Sequence, residues 1–449
     1  MKRLVAHSRA WGLVFTLILP AGILHAQSST GKFVSFKDFI ADVAAQSIAP
    51  PGNQSKDAAS FAEMRQYVLG MYQGVQVGHS FVKESSTFDC IPIQQQPSLR
   101  LLGLGPVADA PPQAMLASQV ASSAAAEFMP VARASQIDAG HPSDAFGNTA
   151  GCAEGTIPMR RLTLEELTQY PTLSQFLQKG PGGTGQPIAP GLSAGSSAPA
   201  AVAPSHKYAV TYQYVNSWGG NSNTNLWSPR VATNLGEIFS LSQEWYVGGS
   251  GASLQTAEVG WQNYPAKYGS QSSRLFIYWT ADGYSRTGCY NLDCPAFVQV
   301  SRVATLGAPF TNYSVPGGTQ YEFAAEYYLY QGNWWLAYQG SWLGYYPGSL
   351  YRGGQLTRFA QLIEFGTESV GTTIWPPEGS GHWSTSGFRY AANQRNLFYV
   401  YNSAGATAWD RLTRYDPSPR CYSTSGPFSS PSSGWQVYFY VGGPGGTGC

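Results

Sequence analysis

The sequence predicts an all-β carboxyl-terminal domain, an antiparallel β-sandwich of jelly-roll-like kind, preceded by a mixed α/β amino-terminal segment. Three observations lead there. Beyond His206 the chain breaks into short alternating runs separated by Gly, Pro, Asn and Ser. Charged residues make up only 11% of the 449 residues and aromatic residues reach 14%, against roughly 25% charged in ordinary soluble domains, a profile that favours sheet over helix. Hardly a helical window interrupts the runs, which argues against a parallel α/β sheet. The Gly-rich boundaries leave open whether the sheets form a plain sandwich or a jelly roll.

In chain order, Lys2, Arg3 and Arg9 precede an apolar stretch from Trp11 to Leu24, and residues 1–26 read as a signal peptide cut after Ala26, although Leu24 stands where a small residue is preferred. A membrane anchor is the alternative, but the stretch falls short of the roughly 20 residues of a spanning helix and is interrupted by Pro20 and Gly22. Residues 27–179 are mixed: Ala58 to Leu69 and Thr163 to Thr168 have helical spacing, with a poorly patterned stretch between them. Lys179-Gly180-Pro181-Gly182-Gly183 then opens a run of Gly, Pro, Ala and Ser to Pro204 that cannot bury a core. Residues 180–205 are therefore a linker and a natural place for proteolysis. Over 206–449, Tyr208 to Tyr212, Arg274 to Trp279 and Trp435 to Tyr440 read as strands. Tyr321 to Tyr330 and Trp334 to Tyr338 read as a hairpin around Gln331-Gly332-Asn333.

A formal charge of +1 offers no attraction for nucleic acid or an anionic membrane, and neither is expected as a partner. Six cysteines, an even set behind an export signal, make disulfides the default and a secreted (extracellular or periplasmic) location the expectation. Chain proximity pairs Cys289 with Cys294 and Cys421 with Cys449, leaving Cys90 with Cys152. No Cys/His spacing supports zinc, and no metal or cofactor is expected. The histidines of the second domain, His206 at the linker edge and His382, exclude a multi-histidine site, and Gly379-Ser380-Gly381-His382 lacks the helix a nucleophile elbow needs. Paired cysteines leave no thiolate, Lys207 and Lys267 sit in no motif, and no phosphate-binding or EF-hand loop occurs. Carboxylate chemistry remains.

The carboxylates of interest lie in apolar sequence, where burial raises a carboxyl pKa and keeps it protonated for use as an acid. Glu258 lies in Thr256-Ala257-Glu258-Val259-Gly260-Trp261-Gln262, and Glu364 and Glu368 in Leu362-Ile363-Glu364-Phe365-Gly366-Thr367-Glu368. On extended strands Glu258, Gly260 and Gln262 share a face, as do Glu364, Gly366 and Glu368, and the glycines are expected to leave room for a substrate backbone. The same pattern fits glutamates facing solvent from half-buried strands.

Longer blocks surround these residues. They include Phe239-Ser240-Leu241-Ser242-Gln243 with Trp245, Tyr278-Trp279-Thr280-Ala281-Asp282, Thr287-Gly288-Cys289-Tyr290-Asn291-Leu292, Gly332-Asn333-Trp334-Trp335 and Gly442-Gly443-Pro444-Gly445. In the front half, Phe88-Asp89-Cys90-Ile91-Pro92-Ile93 and Gly155-Thr156-Ile157-Pro158-Met159-Arg160-Arg161 belong with them. Through these blocks the sequence resembles the neprosin family of glutamic peptidases, prolyl endopeptidases with an amino-terminal activation segment, over nearly its whole length. The resemblance implies a two-sheet sandwich with a pair of catalytic glutamates, preceded by an inhibitory pro-segment (27–179) that is cut away within 180–205. It puts the first glutamate on Glu258. The second falls on Glu368, with Glu364 as the alternative, because the family's hydrophobic residue, Gly-Gly and Glu is met by Phe365-Gly366-Thr367-Glu368, where Thr367 departs from the pattern.

Two close carboxyl groups do not both ionise readily; they share a proton at acidic pH, one acting as base toward water and the other as acid. Glu258 is given the acid role and Glu368 the base role. Gln262 is the candidate oxyanion donor, and Trp245, Trp261, Trp279 and Trp335 are candidates for the cleft lining, since flat rings stack on proline. Acid is expected to loosen the pro-segment through Glu165 and Glu166. The implied substrates are proline-rich proteins or peptides, and the chain is expected to be a monomer. The rival readings are a retaining glycoside hydrolase, which also uses two carboxylates, and a carbohydrate-binding β-sandwich without catalysis. A missing Glu-x-Asp strand motif speaks against the first, and both glutamates in place against the second.

Overall fold

Side-chain alternation decides what each long strand buries. Along Gln255–Asn263, Ala257, Val259 and Trp261 enter the main core, and Glu258, Gly260 and Gln262 point the other way. Every residue of this strand is buried, although antiparallel sheets commonly leave one face to water. A second sheet covers one face and the amino-terminal part covers the other.

The computed structural model describes residues 32–49, 57–116, 129–130, 143–181, 204–405, 407–409, 411–431 and 434–449. The expected signal peptide and nearly all of the expected linker lie outside these residues. Ser35–Cys449 form one compact unit; of the other, Met1–Val34, only 32–34 are described.

Among the described residues the first sheet has seven strands, in the order Cys289–Tyr290, Arg274–Thr280, Gln255–Asn263, Glu237–Gly248, Ala360–Gly371, Ser205–Ser217 and Thr413–Tyr415. All its pairings are antiparallel. The second sheet is built around Tyr321–Tyr330, Gly219–Asn225 and Ala392–Val400 and is antiparallel except where Met129–Pro130 joins Tyr321–Tyr330 in parallel. The sheets pack face to face: Tyr246 of the first meets Tyr327 and Trp334 of the second at centroid distances of 5.4 and 5.7 Å. The chain is therefore a mostly antiparallel sandwich, as the alternating runs indicate.

The expected hairpin forms. Tyr330 pairs with Asn333 across a two-residue turn whose Gln331 and Gly332 have φ of 48° and 78°, the left-handed pair that matches strand twist. Gln339-Gly340 repeats the device, with φ of 50° and 69°. The strand expected from Trp435 begins one residue later, at Gln436–Gly442.

The amino-terminal part contains the helix Ala58–Tyr72, capped by the Asp57 carboxylate on the Ala59 and Ser60 amides, and a turn of helix at Leu164–Leu167 closed by a Thr163/Glu166 capping box. The poorly patterned stretch holds a small sheet of Ser80–Lys83, Ser86–Pro92 and Thr156–Arg160. Its signal was hidden because the third strand follows the second only after a long interval. Disulfides join Cys90 to Cys152, Cys289 to Cys294 and Cys421 to Cys449, the pairs expected from chain proximity; three such bonds are consistent with an extracellular protein. None links the amino-terminal part to the sandwich.

Candidate active site

On the outer face of the first sheet, Gln243 stands in register with Gly260 on one neighbouring strand and Gly366 on the other. Glu258 lies one pleat to one side, opposite Trp245, and Glu368 one pleat to the other, opposite Leu241, so the two carboxylates stand diagonally across Gln243. The glycines serve the sheet itself. A Cβ on Gly260 would collide with the Ser242 carbonyl and lie 2.5 Å from Gln243 Cβ; one on Gly366, at φ +153°, would collide with the Ala209 carbonyl and lie 2.7 Å from Val210 Cα. Their role is close approach of adjacent strands, which corrects the expectation of space for a substrate backbone.

Between the glutamates sits Lys179, contributed by the amino-terminal part. Its ammonium is 2.7 Å from Glu258 Oε2 and 2.8 Å from Glu368 Oε2, and all three side chains are inaccessible. The strap that delivers it is held to the sheet: Tyr278 donates to the Leu177 carbonyl at 3.3 Å and Tyr290 donates to the carbonyl of Lys179 itself. The Lys179 ammonium lies 5.0 Å from the Trp245 ring centroid. Gly180 follows because a Cβ there would lie 2.8 Å from the Phe239 ring.

Each carboxylate has further partners. Glu258 accepts from Gln243 Nε2 at 3.0 Å, Thr256 Oγ1 at 2.7 Å and Tyr284 at 2.5 Å. Glu368 Oε1 meets His206 Nδ1 at 2.6 Å. Burial alone pushes the Glu368 carboxyl up, but the Lys179 ammonium and the His206 hydrogen bond outweigh it and hold the group below the ordinary carboxylate range. Burial likewise disfavours the Lys179 ammonium, and the two glutamate charges reverse this and raise it. Nearby, burial keeps the Glu378 carboxyl well above its usual range, although Thr367 and Ser369 hydrogen-bond to it. Two cavities adjoin the strap, one of about 480 Å³ against Tyr170, Pro181, Ile238 and Tyr264, and one of about 180 Å³ against Leu177, Tyr278, Tyr284 and Thr287.

Of the residues singled out in the sequence, Glu258, Glu368 and Trp245 come together on Lys179. Glu364 shares their face but stands opposite Trp245, four residues along the strand from Glu368. Gln262 shares the face too, with its amide donating to the Tyr290 hydroxyl at 3.0 Å. Trp261 and Trp279 do not line the cleft. Alternation turns both inward, Trp261 donating to the Asn225 carbonyl at 3.0 Å and Trp279 packing 6.4 Å from Tyr346. Trp335 lies on the far side of the second sheet, in a separate cluster. Glu165 is exposed, and Glu166 pairs with Arg160 of its own segment, so neither is a bridge to the sandwich among the ion pairs described.

Lys179, Gln243, His206, Thr256 and Tyr284 were not identified from sequence as site residues. Gln243 had a signal, since it is the one polar residue in the inward-outward series Phe239, Leu241, Gln243, Trp245. Lys179 had one as well, the last charge before a charge-free run of two dozen residues.

A β-sandwich with two buried glutamates converging on one sheet face is a scaffold for carboxylate chemistry. Residues 236–444 match the Neprosin family model, so the chain carries a neprosin-family domain over that range, and this supports a peptidase. Among solved structures the chain is similar to scytalido-glutamic peptidase with a transition state analog inhibitor, at 9% identity and a TM-score of 0.31, covering 53% of this chain and 98% of that one. The same peptidase with a peptide-based analog matches at 8% and 0.28 over the same shares. CG-16, a homodimeric agglutinin from chicken liver, matches at 9% and 0.20, covering 38% and 92%. No residue role is carried over from these likenesses.

Proposed function

We propose that the protein is the precursor of a secreted glutamic endopeptidase that cuts after proline at acidic pH, with Glu258 and Glu368 as its catalytic pair. Residues 27–179 form the pro-segment, 180–205 hold the activating cleavage, and 206–449 are the enzyme. The observation that carries this reading is the single buried ammonium of Lys179 bonded to both glutamates. An ammonium there balances one of the two carboxylate charges and occupies the space a water and a substrate carbonyl need.

Once Lys179 leaves, two close buried carboxylates cannot both remain charged, and they hold one proton between them. Glu368, kept ionised by His206, takes a proton from water as the water oxygen bonds to the scissile carbonyl carbon. Glu258 donates its proton to the carbonyl oxygen; the tetrahedral intermediate collapses when Glu368 passes the proton it took from water to the leaving nitrogen, the C–N bond breaks, and Glu258 takes back a proton from the hydroxyl as the carbonyl re-forms. Gln243 and Tyr284, which hydrogen-bond Glu258, are placed to donate to the oxyanion, in preference to Gln262, whose amide is engaged by Tyr290. The Trp245 ring offers the flat surface on which a proline stacks.

The test is acid incubation of the full-length protein and of its Glu258→Gln, Glu368→Gln and Glu364→Gln variants, followed by amino-terminal sequencing and assay on a proline-containing peptide. Glu258→Gln and Glu368→Gln should each lose about 10²- to 10⁴-fold in activity and fail to trim within 180–205, whereas Glu364→Gln should keep near-normal activity and trim as the parent does. A near-normal Glu368→Gln beside an inactive Glu364→Gln would displace Glu368 from the pair. Full activity at neutral pH with the amino-terminal part intact would end the precursor reading.

A further inference from the structure

The outer face of the second sheet, across the sandwich from the glutamates, carries Tyr328, Trp335, Trp342 and Tyr345 on adjacent strands. Trp335 lies tilted against Tyr345 with ring centroids 4.6 Å apart and meets Trp342 edge-on at 6.1 Å. These rings are buried because residues 99–116 lie over them, with Leu99, Leu104, Val107, Met115 and Leu116 packed in the same cluster. Past Leu101 the cover runs without regular secondary structure to Pro112. It contains Pro106, Pro111 and Pro112, of which Pro111 is buried, and Pro112 has φ −52° and ψ 137°, close to polyproline II. Polar contacts fix it at two points: the Ala108 amide donates to the Tyr345 hydroxyl at 3.1 Å, and the Gln113 amide donates to the Gly340 carbonyl at 2.8 Å.

The cover leaves donors unused. The indole N–H groups of Trp335 and Trp342 and the Tyr328 hydroxyl are buried without a hydrogen-bond partner among the described residues. An unmet buried donor costs about 1–3 kcal/mol, so the aromatic face is better matched to a ligand that supplies acceptors than to its present occupant. A polyproline II strand meets that need, because none of its carbonyls is used internally and its rings stack on flat aromatic surfaces.

We propose that this face, once the amino-terminal part is released, is a second binding site for extended proline-rich peptide, which tethers long substrates to the enzyme away from the catalytic pair. Residues 104–116 occupy it in the precursor, through Leu104, Val107, Met115 and Leu116. The proposal rests on the precursor reading, because the face opens only if that part leaves. Both sites are then covered by one segment, the glutamates by Lys179 and the aromatic face by residues 104–116.

The first measurement uses the uncleaved full-length protein carrying Glu258→Gln, so that it does not depend on self-processing. Leu104→Ser, Val107→Ser and Met115→Ser together loosen the cover, which acrylamide quenching of tryptophan fluorescence reports. Decaproline should then bind the loosened protein and not its parent, and a further Trp342→Ala should weaken binding about tenfold or more. Increased quenching without decaproline binding overturns the proposal, and so does binding of a soluble β-glucan in its place. The second measurement uses acid-processed protein. There Trp342→Ala should raise KM for a long proline-rich protein about tenfold and leave kcat and the KM of a short peptide unchanged. Equal KM values for parent and variant on the long substrate overturn it. A protein that never processes in acid but binds decaproline when loosened removes the precursor reading and leaves the aromatic site standing.

Discussion

Replacing Lys179 by Gln removes one charge from the centre of three buried groups and little volume. In the structure the ammonium answers both glutamates, at 2.7 and 2.8 Å. Taking away one partner of a buried ion pair costs about 3–5 kcal/mol, and at about 1.4 kcal/mol per tenfold the undocked fraction of the strap should rise by roughly 10²- to 4 × 10³-fold. The pH dependence follows from the sign of the Glu368 shift. Its carboxyl is held low in the closed precursor, so the stability it lends is complete above the ordinary carboxylate range and is lost as pH falls through the depressed value. The parent should therefore trim only once pH has fallen below the ordinary carboxylate range. In Lys179→Gln the pair already needs a shared proton while closed, and trimming and peptide hydrolysis should appear in mild acid. The assay is electrophoresis of the precursor alongside hydrolysis of a quenched proline peptide across that range. If Lys179→Gln trims with the parent's pH midpoint, the ammonium is not what holds the site shut.

Asp293→Asn should also loosen the precursor. Asp293, which burial pushes up but Lys267 and Arg160 hold low, joins the sandwich to Arg160 of the amino-terminal part at 3.3 Å; losing its charge should cost about 3–5 kcal/mol in chemical denaturation and shift trimming to higher pH. Trp245→Phe should raise KM for a proline peptide by roughly two- to tenfold in the processed enzyme, whereas Trp261→Phe should leave KM alone and lower thermal stability by about 1–3 kcal/mol through the stranded Asn225 carbonyl. Cys449→Ser, which opens a loop with a sequence separation of 28, should cost about 2–4 kcal/mol with little change in kcat.

The sandwich was legible because its signals are local. Alternation, two-residue turns with glycine second, and a scarcity of charge all act within ten residues, and the strands at Tyr208, Arg274 and Tyr321 formed where these signals lay. Which face of a strand meets which layer is not local. Trp261 and Trp245 look alike in sequence, yet one lies between the sheets and the other under the strap, because parity relative to Glu258 decides the face. Trp261 was thus assigned to the cleft against the alternation that already separated Glu258 from Val259, whereas the face of Trp279 depends on the register that sets Tyr278 opposite Glu258. Charge in apolar sequence made the glutamates conspicuous, but the pattern alone fitted solvent-facing strand residues as well, and it was the neprosin resemblance that singled out Glu258 and Glu368. Lys179 was not found, because its meaning depends on contacts with strands about 80 and 190 residues away in the chain.

The placement of charge explains how one event could both open and arm the site. Four ion pairs link the amino-terminal part to the sandwich among the described residues: Lys179 with Glu258, Lys179 with Glu368, Arg160 with Asp293, and Glu84 with Arg274. In three of them the cation comes from the amino-terminal part and the carboxylate from the sandwich. Lysine and arginine do not change charge in acid, so in these three pairs acidification acts on the sandwich side, where Lys179 and Lys267 with Arg160 hold the Glu368 and Asp293 carboxyls low. A trigger located in the amino-terminal part, on Glu165 or Glu166, would release the strap without supplying a proton to the catalytic pair. On the proposed mechanism a trigger on the glutamate pair would do both, since the proton that breaks the contact with Lys179 would be the proton the pair shares to attack a peptide bond.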